Sequence, residues 1–391
     1  MYSLLLALIY LSFISLGLPD ALLGSAWPSM YPMMDVPVSY AGVVSMIITG
    51  GTIVSSLNAN RLVNRFGTGL VTTVSVFLTS VALFGFSFSN AFWMLCLWAI
   101  PYGFGAGAVD AGLNNFVALH YKSRHMSWLH CFWGVGAAIG PYIMGYSLKV
   151  KNSWQNGYWT VGIFQIILTA ILFISLPVWR KQSQIHSEGE TVAHKHVTVV
   201  EALRIKGVKQ VLLAFFAYCG VETTTGLWAS SYLVLHRGFD VEVAARWASL
   251  FYLGITFGRF LNGFVTDKLG NRNMIRIGLG IIAIGLLAVF LPINIGLLPL
   301  IGLVLIGLGC APIYLCIIHE TPRNFGAENS QAIIGIQMAS AYAGSTLAPP
   351  IFGFLANTLS IALYPFYLSL FVVLMLVMTE RLNRLVKHTE R

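Results

Sequence analysis

The chain has 391 residues, of which 57% are hydrophobic and only 9% charged, and it carries a formal net charge of +9. Apolar runs of about 18 residues or more read as membrane helices, and runs this long exclude a β-barrel, whose strands alternate over about ten residues. The five cysteines, Cys96, Cys131, Cys219, Cys310 and Cys316, fall inside such runs without a C-x-x-C pair, which points to neither a disulfide framework nor a metal site.

The runs predict an all-α polytopic membrane protein with twelve transmembrane spans, at roughly 3–28, 38–59, 70–89, 92–118, 126–147, 157–178, 209–235, 245–265, 273–292, 296–318, 331–354 and 361–379. Most loops are short. The exception, 180–208, is polar and charge-mixed, and it divides a first six-helix bundle (1–179) from a second (209–391). His194 and His196 lie in this segment, and with no Cys or carboxylate cluster to complete a site they read as part of a solvated linker. With twelve spans, eighteen Lys and Arg residues fall in loops on the side of the termini and four (Lys149, Lys151, Arg237, Arg246) on the other, leaving Arg259 within a span. That asymmetry places both termini in the cytoplasm and makes the basic excess a matter of topology, not of nucleic-acid binding. The first apolar run lacks a basic leader and reads as a retained span of the cytoplasmic membrane, not a cleaved signal.

Three carboxylates stand in the middle of apolar stretches, where an ionised side chain is expensive and usually faces a watery cavity or a partner. Asp20 lies in span one, in YLSFISLGLPDALLGSAW, on a face shared with Gly24 and Trp27. Just before it, Pro19 removes the hydrogen bond to the Ser15 carbonyl and predicts a kink, tolerated where a neighbour or cavity satisfies the freed group. In span four, Gly103, Gly107, Asp110 and Asn114 share one stripe, the glycines allowing close helix contact and the polar pair facing a cavity. Span five contributes His130, a residue type whose unperturbed pKa permits protonation near physiological pH. Span seven carries Tyr218, Glu222, Thr225, Ala229 and Tyr232 on one stripe. The intramembrane Arg259 lies near the predicted cytoplasmic end of span eight, a depth that argues against pairing with Glu222. Gln337 in span eleven is a further candidate contact. Among the aromatics, Trp27 and Trp228 are picked out for stacking on a ligand, since each shares a segment with one of these carboxylates.

The halves echo each other. NRLVNRFGTG (60–69) follows span two and GFVTDKLGNR (263–272) follows span eight, with Asn64 matching Asp267; GVGAAIGP (134–141) in span five corresponds to YAGSTLAPP (342–350) in span eleven, with Gly136 on Gly344 and Pro141 on Pro349. Repeated halves around a midplane site are a transporter plan.

GFVTDKLGNR resembles the loop signature of the major facilitator superfamily, and GVGAAIGPYIMG its glycine-proline signature in span five. GLPDALLG, GFGAGAVDAGLNNF and FFAYCGVETTTGLW are similar to the fucose-permease branch, which includes sugar symporters. The resemblance spans nearly the whole chain and implies two pseudo-symmetric bundles. It further implies that Asp20 takes part in substrate binding and proton coupling, Asp110 in proton coupling, and His130, where the permease has Gln, in substrate contact. It also implies a cytoplasmic gate of Asn64 and Arg65 in the first half and Arg259, Asp267, Lys268 and Arg272 in the second. The chain departs from the pattern at Asn60 and Asn64, where the signature has Gly and Asp, and at Asp110, where the permease has Glu.

The expectation is therefore a proton-linked symporter of a sugar or similar small polar solute, working by alternating access, with no cofactor beyond the coupling ion, monomeric and embedded in the bilayer. Sodium is the alternative ion, and a drug or metabolite antiporter the alternative function. No H-E-x-x-H, G-x-S-x-G or nucleotide loop is present, and His319-Glu320 is followed by Thr-Pro-Arg, so an enzyme is not expected.

Overall fold

Span one is broken. A computed structural model describes residues 2–120, 123–179, 199–291 and 297–387, and in it this span consists of α1 (Tyr2–Asp20) and α2 (Leu22–Met33), parted at Ala21 just after Pro19. The Ser15 carbonyl that Pro19 cannot serve is taken up by span six. There the buried Gln165 donates its Nε2 to Ser15 O and accepts from Ser15 Oγ at 2.7 Å.

The remaining spans are single helices in chain order. Spans two to six are Tyr40–Phe66, Thr68–Ser87, Phe92–His120, Ser123–Lys151 and Trp154–Ile174. Spans seven to twelve are Val208–Leu235, Val241–Leu269, Asn271–Phe290, Leu298–Phe325, Ala327–Thr358 and Tyr364–Lys387. A short helix, Val199–Arg204, precedes span seven, whereas His194 and His196 lie outside the described residues.

Several helices outrun their apolar sequence. Span eight covers 29 residues, about 43 Å at 1.5 Å per residue, against a hydrocarbon layer of about 30 Å. Hydropathy stops at the first charges, but the backbone ladder continues into the aqueous layer.

Nine helical stretches among the described residues are long and apolar enough to cross a membrane by length and composition alone. Spans five, eight and eleven are long enough but more polar, because one face of each turns inward to the seam between the halves.

The internal repeat is visible in the backbone. Gly67 and Gly270, in the loops after spans two and eight, adopt φ/ψ of 81°/151° and 74°/151°, a region essentially reserved for glycine. A Cβ on Gly136 would lie 2.0 Å from the Ile14 carbonyl oxygen of span one, and one on Gly344 would lie 2.3 Å from the Phe216 oxygen of span seven. The glycine echo read from the sequence is thus the same helix crossing made twice.

Spans five and eight form the most extensive pair drawn from different halves, followed by spans two and eleven. At the end remote from the termini the halves touch closely. A Cβ on Gly24 would lie 2.3 Å from Gly226 O, on Gly42 2.6 Å from Pro350 Cα, and on Gly145 2.3 Å from Arg246 Cγ. Among the described residues, no glycine at the terminus-side ends of the helices makes such an approach across the seam.

Candidate functional site

Below the clamp formed at Gly24, Gly42 and Gly145, a cavity of about 360 Å³ opens between the halves. Its walls combine Asp20 and Tyr102 from the first half with Glu222, Tyr252 and Ser345 from the second. A smaller space of about 250 Å³ shares Asp20, Trp133 and Glu222 and adds Asp110, His130, Arg259 and Tyr314. The three intramembrane carboxylates singled out by the sequence therefore border one connected region.

Asp20 is held from two sides: the Tyr102 hydroxyl donates to Oδ1 at 3.0 Å and the Trp133 indole to Oδ2 at 2.9 Å. The kink after Pro19 turns this carboxylate into the cavity, where it stays accessible although it sits deep between the helices. Asp110 is one partner of an i, i+4 bond in which Asn114 Nδ2 donates to Oδ1 at 2.9 Å. Asn114 stands behind Asp110 and is absent from the lining residues of both spaces. His130 lines the smaller space, with its ring edge-on to Phe13 at 5.9 Å and tilted to Tyr314 at 6.3 Å.

Two sequence expectations about Arg259 are corrected. It does not lie near the cytoplasmic end of span eight, and its depth does not keep it from Glu222. Span eight runs ten residues past it to Leu269, which places it about 15 Å inside the helix end. Arg259 Nη2 lies 3.6 Å from Glu222 Oε1, with both side chains largely buried. Its Nη1 donates to the His130 carbonyl at 3.4 Å, and its guanidinium carbon stands 5.4 Å from the Trp133 ring centroid. An arginine of the second half thus reaches span five of the first.

Trp27, Trp228 and Gln337 do not line either space. Trp27 is fully buried and donates to Val38 O at 2.7 Å. Trp228 lies off the Glu222 stripe and donates to Pro349 O at 2.9 Å. Gln337 donates to Thr321 Oγ1 at 3.0 Å and ties span eleven to span ten.

At the terminus-side ends, the side chains of Asn64 and Asp267 lie outside the described part of the structure. Arg65 is exposed beside the Phe66 ring, and Lys268 is exposed as well. Arg272 turns to span ten, with Nε 3.7 Å from Glu320 Oε2 and Nη2 3.5 Å from Asn324 Oδ1. Glu320 also accepts from Asn271 Nδ2 at 3.1 Å and lies 3.8 Å from Arg323. Sequence reasoning set Glu320 aside once it failed as a zinc-protease motif; the opposite charge three residues on, at Arg323, was the signal for a helix-end network. It also passed over Trp133 as one aromatic among many, although that residue follows His130 by three on the same face. For Tyr102 the sequence carries no comparable signal.

Among solved structures, a D-xylose-proton symporter superposes with a TM-score of 0.71 at 15% sequence identity, covering 96% of each chain. Among curated proteins, the glucose/mannose transporter GlcP of Bacillus subtilis is 23% identical over 317 residues, 78% of this chain and 76% of the relative. Bypass of stop codon protein 6 of Saccharomyces cerevisiae is 24% identical over 281 residues; the match takes in 66% of this chain but only 56% of the yeast protein's length. The family model described as Major Facilitator Superfamily matches residues 9–329 and 211–388. With a match across nearly the whole chain and a fold shared over its length, this protein belongs to the Major Facilitator Superfamily.

Proposed function

We propose that the protein is a secondary active transporter that carries a sugar or a similar small polar solute across the cytoplasmic membrane, coupled to protons. The observation that carries this reading is Asp20. It is a carboxylate on a kinked helix facing a midplane cavity, bonded within its own half and opposed across the seam by Glu222. A cavity of this volume, lined by aromatic rings and a few convergent polar groups, suits a small polyhydroxylated ring. The names of relatives such as GlcP and the xylose symporter fit the same solute class.

In this reading residues 1–179 and 209–391 are two bundles, joined by 180–208, that rock about the bound solute. Both termini are cytoplasmic, so the clamp at Gly42 and Gly145 closes the exterior and the cavity faces inward. Asp20 and Asp110 exchange the coupling proton. Asp20, Glu222 and His130 contact the solute, and the chain works as a monomer without a cofactor. The network of Arg272, Glu320 and Arg323 holds the cytoplasmic ends of spans eight to ten.

The test is reconstitution into liposomes and counterflow of labelled D-glucose and D-xylose, with and without an imposed pH or sodium gradient. Sugar counterflow driven uphill by a pH gradient supports the proposal. Uphill movement driven by sodium alone replaces the ion. If no sugar exchanges while cationic drugs or carboxylates do, the sugar symporter reading is wrong.

A further inference from the structure

One side chain, Trp133, bonds to the groups of both halves that meet at the seam. Its indole N–H is committed to Asp20 Oδ2 at 2.9 Å, and its ring face lies under the Arg259 guanidinium at 5.4 Å. Arg259 in turn reaches Glu222 at 3.6 Å and the His130 carbonyl at 3.4 Å. The order Asp20, Trp133, Arg259, Glu222 therefore crosses from span one, through span five, to spans eight and seven.

The base of this chain is fixed and its far end is not. A Cβ on Gly17 would fall 2.0 Å from the Trp133 carbonyl oxygen, so spans one and five are in backbone contact there and hold the indole level with Asp20. Arg259, by contrast, meets Glu222 at 3.6 Å and the His130 carbonyl at 3.4 Å, has the Tyr218 hydroxyl as a further neighbour, and keeps its Nε buried without a hydrogen-bond partner. A bidentate pair of short bonds would lock such a guanidinium in place; this one depends on what its neighbours offer.

We infer that Trp133 is the positioning residue through which the charge state of Asp20 sets the grip between spans five and eight. An indole whose N–H donates to an anion is fixed in orientation, and its π face is enriched in negative charge, which strengthens attraction to a cation above it. A proton on Asp20 removes the anionic acceptor, loosens the ring and weakens its hold on Arg259. The hold lies on the most extensive inter-half helix pair, so protonation relaxes the contact between spans five and eight.

Other groups share the environment of Asp20. Within the first half Tyr102 and Asp110 face it from span four, His130 from span five and Tyr158 from span six. From the second half Glu222, Tyr252, Arg259, Tyr314 and Tyr342 face it. Tyr102 also donates to Asp20, but to the other oxygen and from within the same half, so it does not transmit to span eight. Asp110 and His130 border Arg259 on the terminus side without touching the indole N–H, so removing that N–H isolates the route through Trp133.

This inference rests on the proton-coupled reading above, and its test separates the two. Hydrogen–deuterium exchange of the purified full chain, corrected for intrinsic rates, is compared at neutral and acidic pH over the segments 134–151 and 241–256. The comparison needs no solute. The wild type is expected to lose protection in both segments severalfold on acidification. Trp133→Phe keeps a ring under Arg259 but removes the N–H, and it is expected to abolish the pH response, as is Asp20→Asn. A wild type whose exchange ignores pH, or a Trp133→Phe variant that responds like the wild type, overturns the inference. In liposomes Trp133→Phe is expected to lose pH-driven accumulation of D-xylose; accumulation at the wild-type level overturns the inference. If the wild type moves no D-xylose at all, the proposed function fails for that sugar, and the exchange measurement still decides the role of Trp133.

Discussion

Gln165 completes the backbone of span one: its side-chain amide donates to the Ser15 carbonyl that Pro19 leaves open, and the Ser15 hydroxyl returns a bond at 2.7 Å. The kink that aims Asp20 at the cavity is therefore supported from span six. Gln165→Leu leaves a buried carbonyl unpaired, and about 1–3 kcal/mol of stability is expected to be lost. A thermal melt of the purified protein checks this, and an unchanged midpoint would contradict it.

The pair of Arg259 and Glu222 is buried, so removing one member is expected to cost more than removing both. Arg259→Met strands the Glu222 carboxylate, for an expected loss of about 3–5 kcal/mol. The double variant Arg259→Met, Glu222→Gln is expected to regain most of that stability. A double-mutant cycle of melting temperatures reads the coupling; additive losses would mean that the 3.6 Å approach carries no energy.

Asp110 faces the smaller space with Asn114 behind it. Asp110→Asn keeps the size and a hydrogen-bonding oxygen but removes the titrating proton. Uphill accumulation of labelled sugar in a pH gradient is expected to fall to the passive level while counterflow persists. Loss of counterflow too would assign Asp110 to binding or folding instead.

At the clamped end, Gly42 meets the backbone of Pro350, an obstacle that a side chain cannot push aside cheaply. Gly42→Val is expected to hold the exterior apart. Labelling of a cysteine introduced at Ser345 by an impermeant maleimide should then rise severalfold from the side opposite the termini. No increase would show that the seam tolerates the added methyls.

Glu320 gathers Asn271, Arg272 and Arg323 at one helix end. Glu320→Gln is expected to cost about 1 kcal/mol or less in stability, because its partners are partly exposed. Its larger effect is expected on turnover, with kcat for sugar flux reduced and KM nearly unchanged. A change confined to KM would argue that the network does not move during the cycle.

The spans and the repeat were readable because they depend on local pattern: apolar length, and glycines at matching offsets such as Gly136 and Gly344. Asp20, Asp110 and Glu222 were readable because a charge in an apolar run is costly wherever the fold puts it. What failed depended on side-chain partners and on helix ends. Trp27 was picked because it shares a segment with Asp20, although its indole is committed to the Val38 carbonyl. Arg259 was placed by the end of the apolar run, although the helix itself continues to Leu269. The role of Trp133 was hidden because it depends on two contacts from distant parts of the chain, Asp20 and Arg259, that no spacing encodes.

The polarity of spans five, eight and eleven bears on how the molecule is made. A nascent helix partitions into lipid from the translocon according to its own hydropathy, and these three are the poorest candidates to do so alone. Span five leaves the ribosome before its main second-half partner, span eight, has been synthesised. Until that partner arrives, its seam face lacks the neighbour that covers it, and span one, against which its other face packs, is what holds it in the first half. The same polar wall that lines a cavity in the finished protein thus sets an order of assembly, in which span one is retained beside span five until the second half comes in to cover them both.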